Sequence, residues 1–284
     1  MNKTSKTIVY LGPAGSYSEV AAEKAAEILG YDCFQPLIKP SITKVIELID
    51  NNNDYIGVVP LENSIEGIVR ETIDNLAKTT SRVMMVQEVI IPISHCLISK
   101  STNIADIDKI LSYSPALAQC LNFISNMPKS VELINVSSTS EAVKQLANLP
   151  ENHAAIGSFK ASQIYKLNVI AKEINDEKDN KTRFVCLDSY IPKITGNDKT
   201  SIAFSTCNQP GNLVNVLLAF KENNINLSYI ESRPSKKVFG DYTFFVDFDG
   251  HIENENIQKT LGRITPFINF YRFLGSYPKF NLNS

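Results

Sequence analysis

Tryptophan is absent from the sequence, histidine occurs only three times, and neither sign of charge is in excess: 28 Lys and Arg face 30 Asp and Glu, a formal net charge of -2. So even a balance excludes nucleic acid as the main partner, which would require a basic footprint. Long apolar runs are missing too. The longest, Val89–Ile93 and Leu213–Phe220, fall far short of the ~20 residues of a membrane-spanning helix. The five cysteines (Cys33, Cys96, Cys120, Cys186, Cys207) include no C-x-x-C pair, and His95, His153 and His251 stand apart from them and from one another. No zinc-type spacing exists, and no metal site is expected. An odd, scattered set of cysteines fits small buried hydrophobes in a reducing compartment better than a disulfide framework. Met1–Lys6 is short and polar, unlike a signal peptide, so the cytoplasm is the expected location. What the chain does have is core: 43% apolar residues, enough for a globular protein whose ligand is small.

At roughly 100–200 residues per domain, the length suggests two domains. From Thr7 to about Leu187, strand-like runs at Ile8–Leu11, Ile56–Val59, Val83–Val89, Lys109–Leu111, Val131–Val136, Ala154–Ile156 and Arg183–Leu187 alternate with helical stretches such as Ala142–Leu149. That order predicts an α/β domain with largely parallel sheets. Ser138 stands three residues before Glu141, and Asn63 three before Glu66, so both predict capped helix starts. The second of these helices is expected to run to about Ala77. Ser114 is expected to cap a helix whose first residue is Pro115. Tyr190–Lys199, with Pro192, Gly196, Asn197 and Asp198, reads as an interdomain linker. Beyond it the order is strand, helix, strand, strand, helix, strand, the ferredoxin-like βαββαβ pattern. The expected domains are 7–190 and 200–278.

Four turns lie where a strand end meets a helix start: Gly12–Ser18, Pro60–Gly67, Ser112–Pro115 and Ser137–Ser140. In open α/β sheets ligands bind outside the carboxyl ends of strands, and backbone N–H groups at helix starts attract anions. Ser16 or Ser18 can cap the first helix; Glu62 and Ser64 are left over once Asn63 and Glu66 are assigned to a cap. The first loop is neither G-x-G-x-x-G nor a Walker A, so nucleotide binding has little support. Lys181-Thr182-Arg183-Phe184 leads straight into an apolar strand. There Arg183 is suited to grip a carboxylate bidentately, whereas Thr182 by itself is only a strand former. The residues alone therefore specify an α/β domain that binds a small anion.

YLGPAGSYSEVAA, VPLENSIEGIVRETIDNL, the KTRF run and ESRP, in this order, resemble the prephenate dehydratase family over nearly the whole chain, from about Thr7 to Pro278. The last part, TSIAF…PGNLV…NINLSYIESRP…YTFFVDFDGH…LGSYP, is similar to the amino-acid-sensing ACT domain. The resemblance implies a two-lobed catalytic domain like a periplasmic binding protein, followed by a ferredoxin-like ACT domain. It also implies decarboxylating dehydration of prephenate to phenylpyruvate without cofactor or metal. Thr182 takes the place of the family's essential threonine. Arg183 becomes the carboxylate partner, Phe184 packs near the ring, and Ser16, Asn63, Ser64 and Ser112 donate hydrogen bonds to substrate. Glu62 is the candidate acid, provided burial keeps it protonated.

The family's Ser-His-Pro-Gln reads Ser112-Tyr113-Ser114-Pro115 here, and its Gly-Ala-Leu-Val reads Gly211-Asn212-Leu213-Val214. By resemblance, phenylalanine binds between two ACT domains, at Pro210, Gly211, Asn212 and Leu213 of one and Glu231, Ser232, Arg233 and Pro234 of the other. Feedback inhibition follows, with the bulkier Asn212 set to weaken it. Edge strands of a single βαββαβ sheet call for a second copy, hence a homodimer or homotetramer. With the first strand at about Thr7, no fused chorismate mutase is expected. Two alternatives remain: arogenate dehydratase, whose substrate differs by an amino group, and a non-catalytic binder of small anions or amino acids.

Overall fold

The computed structural model describes residues 6–31, 33–80, 82–207, 209–234 and 242–280; the polar start, 1–5, lies outside them. Eleven strands come first: β1 (Lys6–Leu11), β2 (Phe34–Lys39), β3 (Tyr55–Asn63), β4 (Gly67–Ile68), β5 (Met84–Pro92), β6 (Cys96–Ser99), β7 (Lys109–Ser112), β8 (Glu132–Asn135), β9 (His153–Gly157), β10 (Asn168–Ala171) and β11 (Lys181–Asp188). Seven helices lie among them: α1 (Tyr17–Ile28), α2 (Ile42–Asn51), α3 (Arg70–Leu76), α4 (Ser114–Ala118), α5 (Leu121–Ser125), α6 (Thr139–Leu146) and α7 (Phe159–Tyr165). The rest is β12 (Asp198–Thr206), α8 (Asn212–Glu222), β13 (Leu227–Pro234), β14 (Tyr242–Asp249), α9 (Glu255–Ile264) and β15 (Ile268–Pro278). Among the described residues no helix is long and apolar enough to cross a membrane.

The chain divides into two compact units. The first comprises Met1–Val45, Val58–Val69 and Ile90–Phe184; the second comprises Ile46–Gly57, Arg70–Val89 and Val185–Ser284.

In the first unit β1 pairs in parallel with β2, and a five-stranded sheet runs in the order β10-β6-β9-β7-β8. This sheet is mixed, where a largely parallel one is expected. β7 pairs in parallel with β8 and β9, whereas β6 pairs antiparallel with β9 and β10. The reason lies in the connections. β7 and β8 are joined through α4 and α5, but β6 follows β5 after three residues with no helix between. Both faces of the sheet are covered. Cys96, Ile98, Leu111 and Ala155 face one core with α6, while Leu97, Ile110, Ala154 and Ile156 face another with Leu117 and Cys120. That alternation at a period of two explains why these strands read as continuous apolar runs.

The second unit contains the ferredoxin-like order read from the sequence, with strands arranged β13-β14-β12-β15 and all three pairings antiparallel. α8 and α9 close one face over Ile202, Phe204, Phe220 and Phe248.

Two local expectations are corrected. Asn63 does not start a long helix. It ends β3, pairs with Gly67 of β4 in a short hairpin, and the helix begins only at Arg70. Gly67 has φ 78°, a left-handed conformation that breaks helical continuation. The α4 cap is Tyr113, one residue before Ser114, and it supplies no side-chain bond. Ser138 does cap α6 through the Glu141 N–H at 3.0 Å.

The β1–α1 turn depends on Gly15. Its φ is +82°, and a Cβ there would lie 2.6 Å from the Ala161 Cα. Its carbonyl accepts the Ser158 hydroxyl at 2.6 Å. Gly15→Ala is therefore expected to lower the stability to urea by about 1–3 kcal/mol; an unchanged unfolding midpoint would show that the turn relaxes freely.

Candidate active site

A cavity of about 410 Å³ lies in the first unit, within the range of small-ligand sites. It is built around the side chain of Asn63. The Asn63 Oδ1 accepts the Ile65 and Glu66 N–H groups at 3.0 and 2.9 Å, closing the hairpin turn. Its Nδ2 donates to the Asn180 Oδ1 at 2.7 Å and to the Thr182 Oγ1 at 2.9 Å. Ser64 fastens the same two segments. Its N–H donates to the Lys181 carbonyl, and its Oγ accepts the Lys181 N–H, each at 2.9 Å. The start of β11 is thus clamped to the end of β3.

Thr182 is 8% exposed. Since its oxygen accepts from Asn63, its own hydrogen is directed to another acceptor, and the cavity is where one can be supplied. Phe184, two residues on, lines the same cavity, and Arg183 between them does not. Strand alternation turns Arg183 to the opposite side, where its guanidinium lies 4.0 Å from the Glu62 carboxylate. The same alternation separates Glu62 from Asn63 on β3. The expected carboxylate grip and the expected buried acid therefore face each other away from the lining. The Glu62 side chain is 36% exposed, so the burial required of an acid is missing.

The remaining predicted hydroxyls are engaged inside the protein. Ser16 caps α1, accepting the Glu19 N–H at 3.3 Å and donating to the Leu11 carbonyl at 3.0 Å. The Glu19 carboxylate takes the Gly15 N–H at 2.6 Å, so this turn binds its own anion. Ser112 is fully buried and donates to the Ile156 carbonyl at 2.8 Å. Neither lines the cavity; Ser18 does.

Tyr17, from the Gly12–Ser18 turn, is on the lining, as are three residues that carry no short-motif signal in the sequence: His95, Gln119 and Asn180. Asn180 donates to the Gln119 Oε1 at 2.9 Å, and the Gln119 Nε2 donates to the Glu66 carboxylate at 2.9 Å. The Tyr17 hydroxyl donates to the Ser94 carbonyl at 2.6 Å, and burial pushes its pKa well above the ordinary phenol value. His95 is 3% exposed, with its ring edge-on to Tyr17. Burial lowers its pKa to about 4, against a smaller upward pull from its hydrogen bond with Gln119. Of His95, Gln119 and Asn180, only His95, sitting three residues after the apolar β5 run, could have been suspected beforehand; the amides needed the fold. Among the described lining residues Glu66 alone carries a charge.

The predicted effector residues lie in the second unit. Gly211 (φ 88°) precedes α8, and a cavity of about 200 Å³ is lined by Gly211 and Leu213 together with Thr206, Cys207, Gln209, Val214, Tyr242 and Phe244. The Asn212 side chain is not on it; its Nδ2 donates to the Cys207 carbonyl at 3.1 Å. Pro210 is exposed beside it. Glu231, Ser232, Arg233 and Pro234 end β13 and do not line this cavity; Arg233 forms an ion pair with Asp74 at 3.3 Å.

A family model described as prephenate dehydratase matches residues 8–190. The chain is 40% identical over 285 residues to a prephenate dehydratase of Methanocaldococcus jannaschii, covering 98% of this chain and all of that one. It is 39% identical to a bifunctional chorismate mutase/prephenate dehydratase of Aquifex aeolicus, covering 96% of this chain and 73% of that one. The fold is similar to a crystal structure of a prephenate dehydratase in complex with L-Phe from Arthrobacter aurescens, with a TM-score of 0.87, 29% identity, and coverage of 96% and 90% of the two chains.

Burial of a neutral His95 makes stability depend on pH. Between its ordinary pKa of 6.5 and the folded value of about 4, the unfolded chain binds a proton that the folded chain does not. Stability must fall as pH drops through that window, by on the order of 3 kcal/mol. Urea midpoints at pH 7 and pH 4.5 should show this slope in the native chain and a much shallower one in His95→Gln.

Proposed function

Because the chain belongs to the prephenate dehydratase family, we propose that the cavity around Asn63, Thr182 and Phe184 is where prephenate loses CO2 and water. The chain is a lyase, and its reaction balances as prephenate dianion plus one proton giving phenylpyruvate anion, CO2 and water. One observation carries the site assignment: the Thr182 oxygen is held by Asn63 so that its hydrogen is left to donate.

The ring hydroxyl leaves with its bonding pair as the carboxylate carbon departs as CO2, and the electrons of that C–C bond complete the aromatic ring. Thr182 donates a hydrogen bond to the leaving oxygen, stabilising charge as it builds there. Phe184 is 2% exposed and offers a flat apolar wall to the ring. Ile68, Val69, Ile93, Pro115 and Ala116 extend that wall. A lining without a cation suits a carboxylate that must leave as neutral CO2, since an arginine fork would hold the ground state as firmly as the transition state. Asn63 and Ser64 act in this reading by positioning Thr182. Arg183 and Glu62 form an ion pair that steadies β11 from its other side.

Phenylalanine is the proposed feedback effector, acting on the ferredoxin-like part, read as an ACT domain over 200–278, near Gly211 and Leu213 and near Glu231–Pro234 of a second copy. β13 is an edge strand with Ile230 45% exposed, which supports a homodimer or larger homo-oligomer. All five cysteines are free thiols, in keeping with the cytoplasm as the proposed location.

Thr182→Ala is expected to lower kcat on prephenate by about 100-fold or more with KM changed little, and Thr182→Ser to retain much of the rate. Phenylpyruvate formation, followed by the absorbance of its enolate in alkali, reads both. No product from prephenate with the native chain would overturn the assignment. Because the Asn212 amide is turned to Cys207, Asn212→Ala should shift the half-inhibiting phenylalanine concentration by less than about threefold; a tenfold shift would place that side chain on the effector.

A further inference from the structure

The helix that follows the cavity wall is held by the ferredoxin-like sheet. Gly67, Ile68 and Val69 line the cavity, and α3 begins at the next residue, Arg70. The division between the two compact units falls at this peptide bond: Val69 ends a segment of the first, and Arg70 opens one of the second. Before the bond, Ile68 pairs with Glu62 of β3, and the Val69 N–H donates to the Leu61 carbonyl at 2.8 Å. After it, two arginines of the second unit hold α3 and the loop that follows. The Arg233 Nε and Nη2 donate to the two carboxylate oxygens of Asp74 at 3.4 and 3.3 Å. The Arg272 Nη2 donates to the Thr79 hydroxyl at 3.2 Å and to the carbonyls of Thr80 and Val83.

The two grips differ in where they start. Arg272 lies within β15, paired across to Ala203 of β12. Arg233 is the penultimate residue of β13, an edge strand, in the segment Glu231–Pro234 where the effector is proposed to act. The Arg233 and Asp74 side chains are 16% and 21% exposed. A fork of two charged hydrogen bonds so sheltered is strong and directional, and parting it leaves a sheltered charge unpaired. A ligand that shifts the end of β13 must therefore break the pair or carry α3 with it. We propose that the Arg233–Asp74 pair couples the effector site to the cavity: phenylalanine at the end of β13 moves α3 through Asp74, and α3 shifts Val69 and Ile68 in the cavity wall. Asn63 pairs with Gly67 across the same hairpin, so the shift also reaches the amide that positions Thr182. Arg233 is then a transmitter, its fork occupied by Asp74.

The inference rests on the proposed feedback by phenylalanine, and measuring binding and inhibition separately tells the two apart. Asp74 lines neither cavity. Asp74→Ala removes both acceptors at no cost in helix propensity, and α3 stays packed through Thr72, Ile73 and Leu76, which are buried. Without phenylalanine, its kcat and KM should stay within about threefold of native, and calorimetry should show phenylalanine bound with Kd changed less than about tenfold. Saturating phenylalanine should inhibit the native chain by about fivefold or more, and Asp74→Ala by less than about twofold. Stronger inhibition of the variant overturns the proposal, and so does loss of phenylalanine binding, which would make Asp74 part of the binding site. If the variant does not unfold cooperatively, hydrogen exchange in the native chain decides. Saturating phenylalanine should change amide protection over 67–76 by about tenfold or more, and inhibition with that segment unchanged sinks the idea. A native chain that turns over prephenate but binds no phenylalanine would remove the feedback reading and this proposal together. Native feedback that survives in Asp74→Ala would remove the proposal alone.

Discussion

Everything in the cavity is referred to the amide of Asn63. A carboxamide has two donors and an acceptor in one plane, and here all are engaged. The oxygen closes the turn after β3, and the nitrogen reaches Asn180 and Thr182 on the segment that enters β11. An aspartate could close the turn but not donate to Thr182; a serine could not reach both. Because the two segments are more than a hundred residues apart in sequence, the position of Thr182 follows from a long-range bond. The strand's own tendency to form does not determine it.

The charge economy of the site follows from the same geometry. Strand alternation sends Thr182 and Phe184 inward and Arg183 outward, and likewise Asn63 inward and Glu62 outward. The two ionic side chains meet each other, and the lining is left almost without charge. For a substrate that surrenders a carboxylate as neutral gas, this is chemically sensible. Tight ion pairing with that carboxylate would stabilise the group that has to disappear. The net charge of -2 adds no general attraction for a dianion, so recognition depends on placed neutral donors.

Much of this was legible in the sequence and some was not. The alternation of strand and helix, the change of pattern after Tyr190–Lys199 and the capping of α6 by Ser138 are local, and period and cap chemistry reveal them. Asn63 and Glu66 show where local reading fails. The bond expected of a capping pair is present, from the Glu66 N–H to the Asn63 oxygen, yet it closes a hairpin turn because Gly67 adopts positive φ. Arg183 attracted attention by its charge and Glu62 by its carboxyl. A one-residue step along each strand put their neighbours, Thr182 and Asn63, on the cavity instead. His95 looked isolated because its partners, Gln119 and Tyr17, are distant in the chain.

Residue type is therefore a poor guide to which polar groups meet a ligand, and hydrogen-bond satisfaction is a better one. Ser16, Ser64 and Ser112 carry the same hydroxyl as a substrate-binding serine, but each has protein partners that hold it in place. Folding has already used them. The Thr182 hydrogen is different: its oxygen accepts from the Asn63 amide, whose own oxygen is taken up by two backbone N–H groups. Leaving a donor unmet in a buried place lowers stability, and no packing argument explains why a fold would keep it on a cavity. A ligand oxygen that accepts that hydrogen does explain it, and the hydroxyl that prephenate must lose is such an oxygen.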